Sequence, residues 1–163
     1  LSRHPIGTLV LLSGPMVVAR DAAHARLARL LAEGKPLPAW FRDRAVYYAG
    51  PANTPPGKVI GSFGPTTAQR MDSYVRSLMA AGGSLVMLAK GNRSKDVVAA
   101  CREFGGFSLG TIGGAAAIIA RDHVVSERVV DFADLGFEAA RAIEVRDLPA
   151  FIVIDDKGGS LYG

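Results

Sequence analysis

Short apolar runs alternate along the chain with stretches of helical period. Thr8-Leu9-Val10-Leu11-Leu12 is an apolar run closed by Ser13-Gly14-Pro15, a turn signal, and Met16-Val17-Val18 is a second strand-prone run. A helix pattern opens at Asp21, a good N-cap residue, and Ala22, Ala25, Leu27, Leu30 and Leu31 follow at helical spacing. Gly34 ends that helix, and Pro36 and Pro38 prevent its return. Residues 44–49 read as a strand, 50–57 as a loop and 58–63 as another strand. After Gly64-Pro65 the pattern predicts a helix from Thr66 to about Ala81, stopped by Gly82-Gly83. Residues 84–88 form a buried-strand pattern, and Ser94 caps a helix to about Phe104. Glycines 105, 106, 110, 113 and 114 lead to an apolar helix over 115–120. Residues 128–130, 142–145 and 151–154 read as late strands.

Strands mixed with helices imply a layered α/β architecture. The opening strands are too close together for parallel crossovers, which predicts a mixed sheet with flanking helices. No internal repeat or low-complexity tract interrupts the chain, so one domain over 1–163 is the simplest organisation. At 163 residues it is large enough to bury a real core.

Composition removes several classes. With 49% hydrophobic and 21% charged residues the chain is not of the disordered type. One cysteine excludes a disulfide framework, and equally a thiolate-ligated cluster built by this chain alone. The net charge of +4 is carried mainly by arginines. They are scattered rather than clustered and lack interleaved aromatics, which argues against nucleic acid and suits a small acidic ligand. The longest apolar run falls far short of the ~20 residues of a membrane helix, and no targeting segment is visible, so a cytoplasmic setting is expected. The start at Leu1, without Met, is read as a trimmed subunit or one domain of a longer protein.

Three apolar runs end on polar groups: the first at Arg20, the second at Thr66 with Arg70 one helical turn on, the third at Lys90. In α/β sheets ligands gather at strand ends and helix N-termini. Three cations and a hydroxyl converging there would hold a carboxylate or dicarboxylate, because arginine grips carboxylates bidentately. Plainer readings stand beside this one. Thr66-Thr67-Ala68-Gln69 fits a capping box with Thr66 as N-cap. Arg70 and Asp72 fit a solvated first turn, Lys90 a loop, Asp21 a simple N-cap, His24 a packed or surface residue and Cys101 a packed one. Gly110-Thr111-Ile112-Gly113-Gly114 fits either an anion-binding backbone or tight packing. Phosphate-loop, dinucleotide, nucleophile-elbow and zinc-helix motifs are absent from the sequence.

Several strings occur in a telling order: Arg20-Asp21-Ala22-Ala23-His24, Gly34-Lys35-Pro36-Leu37-Pro38, Tyr47-Tyr48-Ala49-Gly50-Pro51, Gly64-Pro65-Thr66-Thr67-Ala68-Gln69-Arg70-Met71-Asp72, Lys90-Gly91, Gly113-Gly114-Ala115-Ala116 and Asp134-Leu135-Gly136. Over nearly its whole length the chain resembles the C-terminal domain, or separate β subunit, of the iron–sulfur-dependent class I fumarate hydratases and L-tartrate dehydratases. The run from Gly34 to Pro38 and the Tyr-Tyr pair lean toward the fumarate enzymes. The resemblance implies a swivelling β/β/α domain and reversible hydration of fumarate to L-malate, a step of the tricarboxylic acid cycle. It also implies a [4Fe–4S] cluster held by three cysteines of a partner N-terminal domain or α subunit, and an oligomeric assembly. This chain would bind no metal. Carried over residue by residue, Arg20, Thr66, Arg70 and Lys90 would bind the dicarboxylate, Thr66, Arg70 and Lys90 would form the catalytic set, and Thr66 is a proposed base for the C3 proton of malate. Asp21 and His24 would orient Arg20 from behind. One departure is Val18-Ala19 before Arg20, where the family carries Thr-Gly. The competing expectations are an L-tartrate dehydratase β subunit and a non-catalytic organic-anion binding module.

Overall fold

The computed structural model describes residues 1–111 and 116–163. β1 (Leu9–Val18), β2 (Ala45–Tyr47), β3 (Val86–Ala89) and β4 (Phe107–Gly110) lie side by side and run parallel. β6 (Ala140–Ile154) runs antiparallel to β4 and, along its other edge, to β1. The pairings therefore close β1-β2-β3-β4-β6 into a ring. β5 (Val124–Asp131) pairs antiparallel with the first half of β6. Helices α1 (Asp21–Ala32), α2 (Asp72–Ala80) and α3 (Lys95–Phe104) make the three crossovers between the parallel strands. The sheet is mixed and flanked by helices, as the pattern predicted.

The period-2 alternation of side chains divides the core between the two faces of the ring. Val17, Val46, Tyr48, Met87 and Ala89 point to the helix side, where they meet Ala23 and Leu27 of α1, Val75 and Leu78 of α2, and Val97 and Cys101 of α3. Their neighbours Met16, Val18, Tyr47 and Leu88 point inward and pack with Leu109, Ile143, Val145, Leu148 and Ile152. α4 (Ala116–Asp122) contributes Ile119 and Ala120 to this inner core.

The helix signals are mostly where the spacing put them. The Ser94 hydroxyl accepts from the Val97 N–H, capping α3, and Gly105 closes that helix in the left-handed conformation at φ 73°. α1 begins at Asp21 itself, with Arg20 as its N-cap residue, so the Asp21 carboxylate is not a cap. The helix expected from Thr66 is instead a 3-10 turn over Ala68–Met71 followed by α2.

The strands depart more from expectation. Residues 8–18 do not make two strands around a turn: β1 is continuous, and Ser13-Gly14 form a bulge opposite β6. Gly14 takes φ 121° there, Asp147 takes φ 49°, and the Ser13 hydroxyl accepts from the Asp147 N–H at 2.9 Å. The mixed character of the sheet thus comes from β5 and β6. Residues 58–63 are not a strand, because β2 is already paired on both edges. That segment folds back on the preceding loop, with the Ala52 N–H donating to the Ser62 carbonyl at 2.9 Å. β4 lies within the glycine-punctuated stretch and was not foreseen, and the two last runs are one strand, β6. Of the glycine cluster at 110–114, residues 112–114 lie outside the described residues, as does Ala115.

Candidate functional site

The carboxyl ends of β1, β2 and β3 open on one edge of the ring, and the candidate residues follow directly after them. Arg20 stands two residues beyond β1, and the Ala19 N–H ties that exit to the Tyr47 carbonyl of β2 at 3.2 Å. Thr66 is threaded between the exits of β2 and β3. Its N–H donates to the Tyr48 carbonyl at 2.6 Å, and its carbonyl accepts from the Lys90 N–H at 3.2 Å. The Ala68 N–H then donates to the Lys90 carbonyl at 2.8 Å, and Thr67 and Lys90 form a parallel bridge. These contacts fix the Thr66 backbone between the two exits. The capping box is therefore not formed: Thr67 precedes the 3-10 turn, and it makes no side-chain cap. Thr66 is buried, whereas Lys90 and Arg70 reach solvent.

Two carboxylates organise the two arginines. Asp21 accepts from Arg70 Nε at 3.0 Å and Nη2 at 2.8 Å, a bidentate side-on pair, and lies 3.7 Å from Arg20 Nε. Asp21 thus touches both arginines and lies closer to Arg70. Glu138 accepts from Arg20 Nε at 2.8 Å. The Arg20 guanidinium also lies 5.5 Å from the Phe137 ring centre and close to Gly50, where a Cβ would stand 3.0 Å from Nη1. Lys90 forms no ion pair among the described residues. Three cations against two carboxylates leave this edge with one excess positive charge, which suits a ligand that brings its own carboxylates.

His24 is buried one helical turn into α1. Its Nδ1 lies 3.0 Å from the Arg20 carbonyl, an acceptor, which places the ring proton on Nδ1. Nε2 is buried without a partner among the described residues, facing an aromatic cage that includes Tyr48, 5.0 Å between centroids, and Tyr74. Burial drives its pKa down to about 4, and nearby Arg93 pushes the same way. The ring is neutral at pH 7 and braces the backbone of Arg20.

Two features were not foreseen. Asp72 is not a solvated first-turn residue: it takes Arg93 Nε at 2.6 Å and the Ser94 N–H at 2.6 Å, and the Arg93 side chain is fully buried. Glu138 carried no signal, because it reaches Arg20 across 118 residues of sequence. Cys101 is packed into the helix-side core, where burial raises its thiol to about 11. Among the described residues no three His, Cys, Asp or Glu side chains are grouped to hold a metal ion, and one buried thiol does not fit a cluster. No helix among them is long and apolar enough to cross a membrane.

The sequence has counterparts among known proteins. The chain is 54% identical to fumarate hydratase 2 of Leishmania major and 52% identical to the aerobic class I fumarate hydratase of Escherichia coli K12, in each case over 99% of its own length. It spans only 28% and 30% of those two proteins. It is also 29% identical to a putative L(+)-tartrate dehydratase subunit beta of Methanocaldococcus jannaschii, of which it covers 83%. The family described as Fumarase C-terminus matches residues 1–163 throughout, and the chain belongs to that family.

Proposed function

We propose that this chain is the dicarboxylate-binding half of a class I-type fumarate hydratase. The observation that carries the reading is the gathering of Arg20, Thr66, Arg70 and Lys90 at three adjacent strand ends, with both arginines already oriented by carboxylates. A four-carbon diacid has two carboxylates to place. Two arginine forks fix their planes as well as their positions, and Lys90 adds a mobile charge.

The reaction run from malate breaks the C3–H bond, forms the C2–C3 double bond from that electron pair, and releases the C2 hydroxyl as water after protonation. Thr66 is the proposed acceptor of the C3 proton. An aliphatic hydroxyl is a poor base, so this role requires that its alkoxide be stabilised by adjacent cations in a site closed to water. Its burial and its backbone link to Lys90 favour that setting. The [4Fe–4S] cluster of this class of enzyme needs several thiolates where this sequence has one cysteine, and we assign it to the partner region, a fused N-terminal domain or an α subunit. Hydration of fumarate is preferred over tartrate chemistry by the identities above. The second reading, a tartrate dehydratase β subunit, keeps the same clamp and exchanges contacts made by the partner.

The test is anaerobic assay of the protein with its cluster-bearing region, on fumarate, malate and L-tartrate. Thr66→Ala is expected to lower kcat at least a hundredfold, and Arg70→Ala to raise KM strongly, on the scale of lost charge-assisted contacts. Near-wild-type turnover in either variant would sink the assignment. Faster turnover of L-tartrate than of malate would select the second reading. Tight malate binding by this chain without its partner, and no turnover with it, would select a binding module.

A further inference from the structure

We infer that Glu138 is a positioning residue: it holds the Arg20 guanidinium side-on, so that the two Nη groups face a substrate carboxylate end-on. The inference rests on the dicarboxylate clamp proposed above and adds a residue that the motifs of the sequence do not mark.

The geometry is specific. Glu138 engages Nε alone, at 2.8 Å, and both side chains are about one-fifth exposed. The face of the guanidinium is fixed by Phe137 on the same turn and by the Gly50 backbone. An arginine has five N–H donors in a rigid fork. With Nε taken, the Nη1 and Nη2 ends remain for a second carboxylate. Arg70 repeats the device, for Asp21 takes its Nε and Nη2 and leaves Nη1. Each arginine therefore has its Nε hydrogen-bonded to a carboxylate, Glu138 for Arg20 and Asp21 for Arg70, and keeps an Nη end for a ligand, with Asp21 also 3.7 Å from Arg20 Nε.

Glu138 is delivered by a well-anchored segment. The 3-10 segment Ala133–Glu138 kinks at Gly136 (φ 61°), and its first half is tied to α1 by Arg26, whose Nη1 meets Asp134 at 2.7 Å and whose guanidinium lies 5.3 Å from the Phe132 ring centre. Trp40 Nε1 donates to Asp131 at 3.1 Å just before the turn. A carboxylate fixed in this way does not have to leave for a ligand to enter, because the ligand uses a different edge of the guanidinium.

The experiment uses the complete protein with its cluster-bearing region. Glu138→Ala is expected to raise KM for malate about tenfold, with a smaller change in kcat, since it disorders a binding group rather than the proton acceptor. Glu138→Gln keeps an acceptor for Nε and is expected to recover most of the loss. In an Arg20→Ala background Glu138→Ala is expected to add nothing, because the two act as one unit. An unchanged KM, an additive loss, or a Gln variant as poor as Ala overturns the inference. A lower KM does so as well, since it makes Glu138 a competitor of the substrate. A crystal structure of the Glu138→Ala protein reads the same point without turnover. The Arg20 guanidinium is expected to leave Gly50, and one that stays overturns the positioning role. Absence of turnover in the wild-type protein would instead count against the enzymatic reading.

Discussion

At the scale of single residues, the site edge is built by groups that each face two ways. His24 offers Nδ1 to the Arg20 carbonyl and Nε2 to an aromatic cage, and burial holds its pKa near 4. The ordinary histidine value is 6.5. The folded chain therefore binds fewer protons than the unfolded chain between these values, and acid favours unfolding. The contribution of His24 is complete above pH 6.5 and is lost as pH falls toward 4. Linkage over the window from pH 7 to pH 5 gives a loss of about 2 kcal/mol from this residue. Urea titrations at the two pH values are expected to show that loss in the wild type. They should show a correspondingly flatter response in His24→Gln, which keeps a donor for the Arg20 carbonyl. An equal slope in both proteins would remove His24 as the acid-sensitive group.

At the scale of elements, the start of α2 is locked to the start of α3 by Asp72. Its carboxylate serves both the buried Arg93 and the Ser94 N–H, and its place in the first turn of α2 also suits the helix dipole. Removing the carboxylate strands a charge inside the protein. Asp72→Ala is expected to destabilise by about 3–5 kcal/mol, whereas Asp72→Ala combined with Arg93→Met is expected to recover much of that. Additive losses in denaturant titrations would show that the pair is not coupled. The same region shows what the sequence made legible. Helices were readable because their caps and apolar spacing are local: Ser94 does cap α3. Two strand ends were readable because an apolar run stops at Arg20 and at Lys90, whereas the run before Thr66 is not a strand and Thr66 reaches the site by bonding to the exits of β2 and β3. Ser13-Gly14 misled because a bulge and a turn use the same residues, and only pairing with β6 separates them. Residues 58–63 have strand character but pair with no strand of the sheet. The Thr66 capping box has good local chemistry, and hydrogen bonds to Tyr48 and Lys90 override it. Glu138 on Arg20 and Asp21 on Arg70 were unreadable because sequence spacings of 118 and 49 residues become contacts only in the folded ring.

At the scale of the whole molecule, the ring explains why so exposed an edge can hold a fixed charge pattern. β1, β2 and β3, whose exits hold Arg20, Thr66 and Lys90, each bury side chains on both faces, so a displacement of one strand disturbs two cores at once. Val17 packs with the helices while Met16 and Val18 pack inside the ring, and β2 and β3 repeat the alternation. β6 bonds β1 along nearly all of β1 and bonds β4 on its other edge, which leaves no seam where the ring can open cheaply. Such a structure is expected to unfold as one unit. Leu27→Ala on the helix side and Leu148→Ala inside the ring both truncate fully buried side chains. Each is expected to cost about 2–5 kcal/mol. The sharper expectation is that each shifts the same transition. Hydrogen exchange of β1 and β6 amides should accelerate equally in both variants, since those strands open only when both cores are lost. Protection retained in β1 and β6 of the Leu27→Ala protein would show that the helix layer melts alone. The arginine clamp would then have to be held by the inner core without its braces on α1.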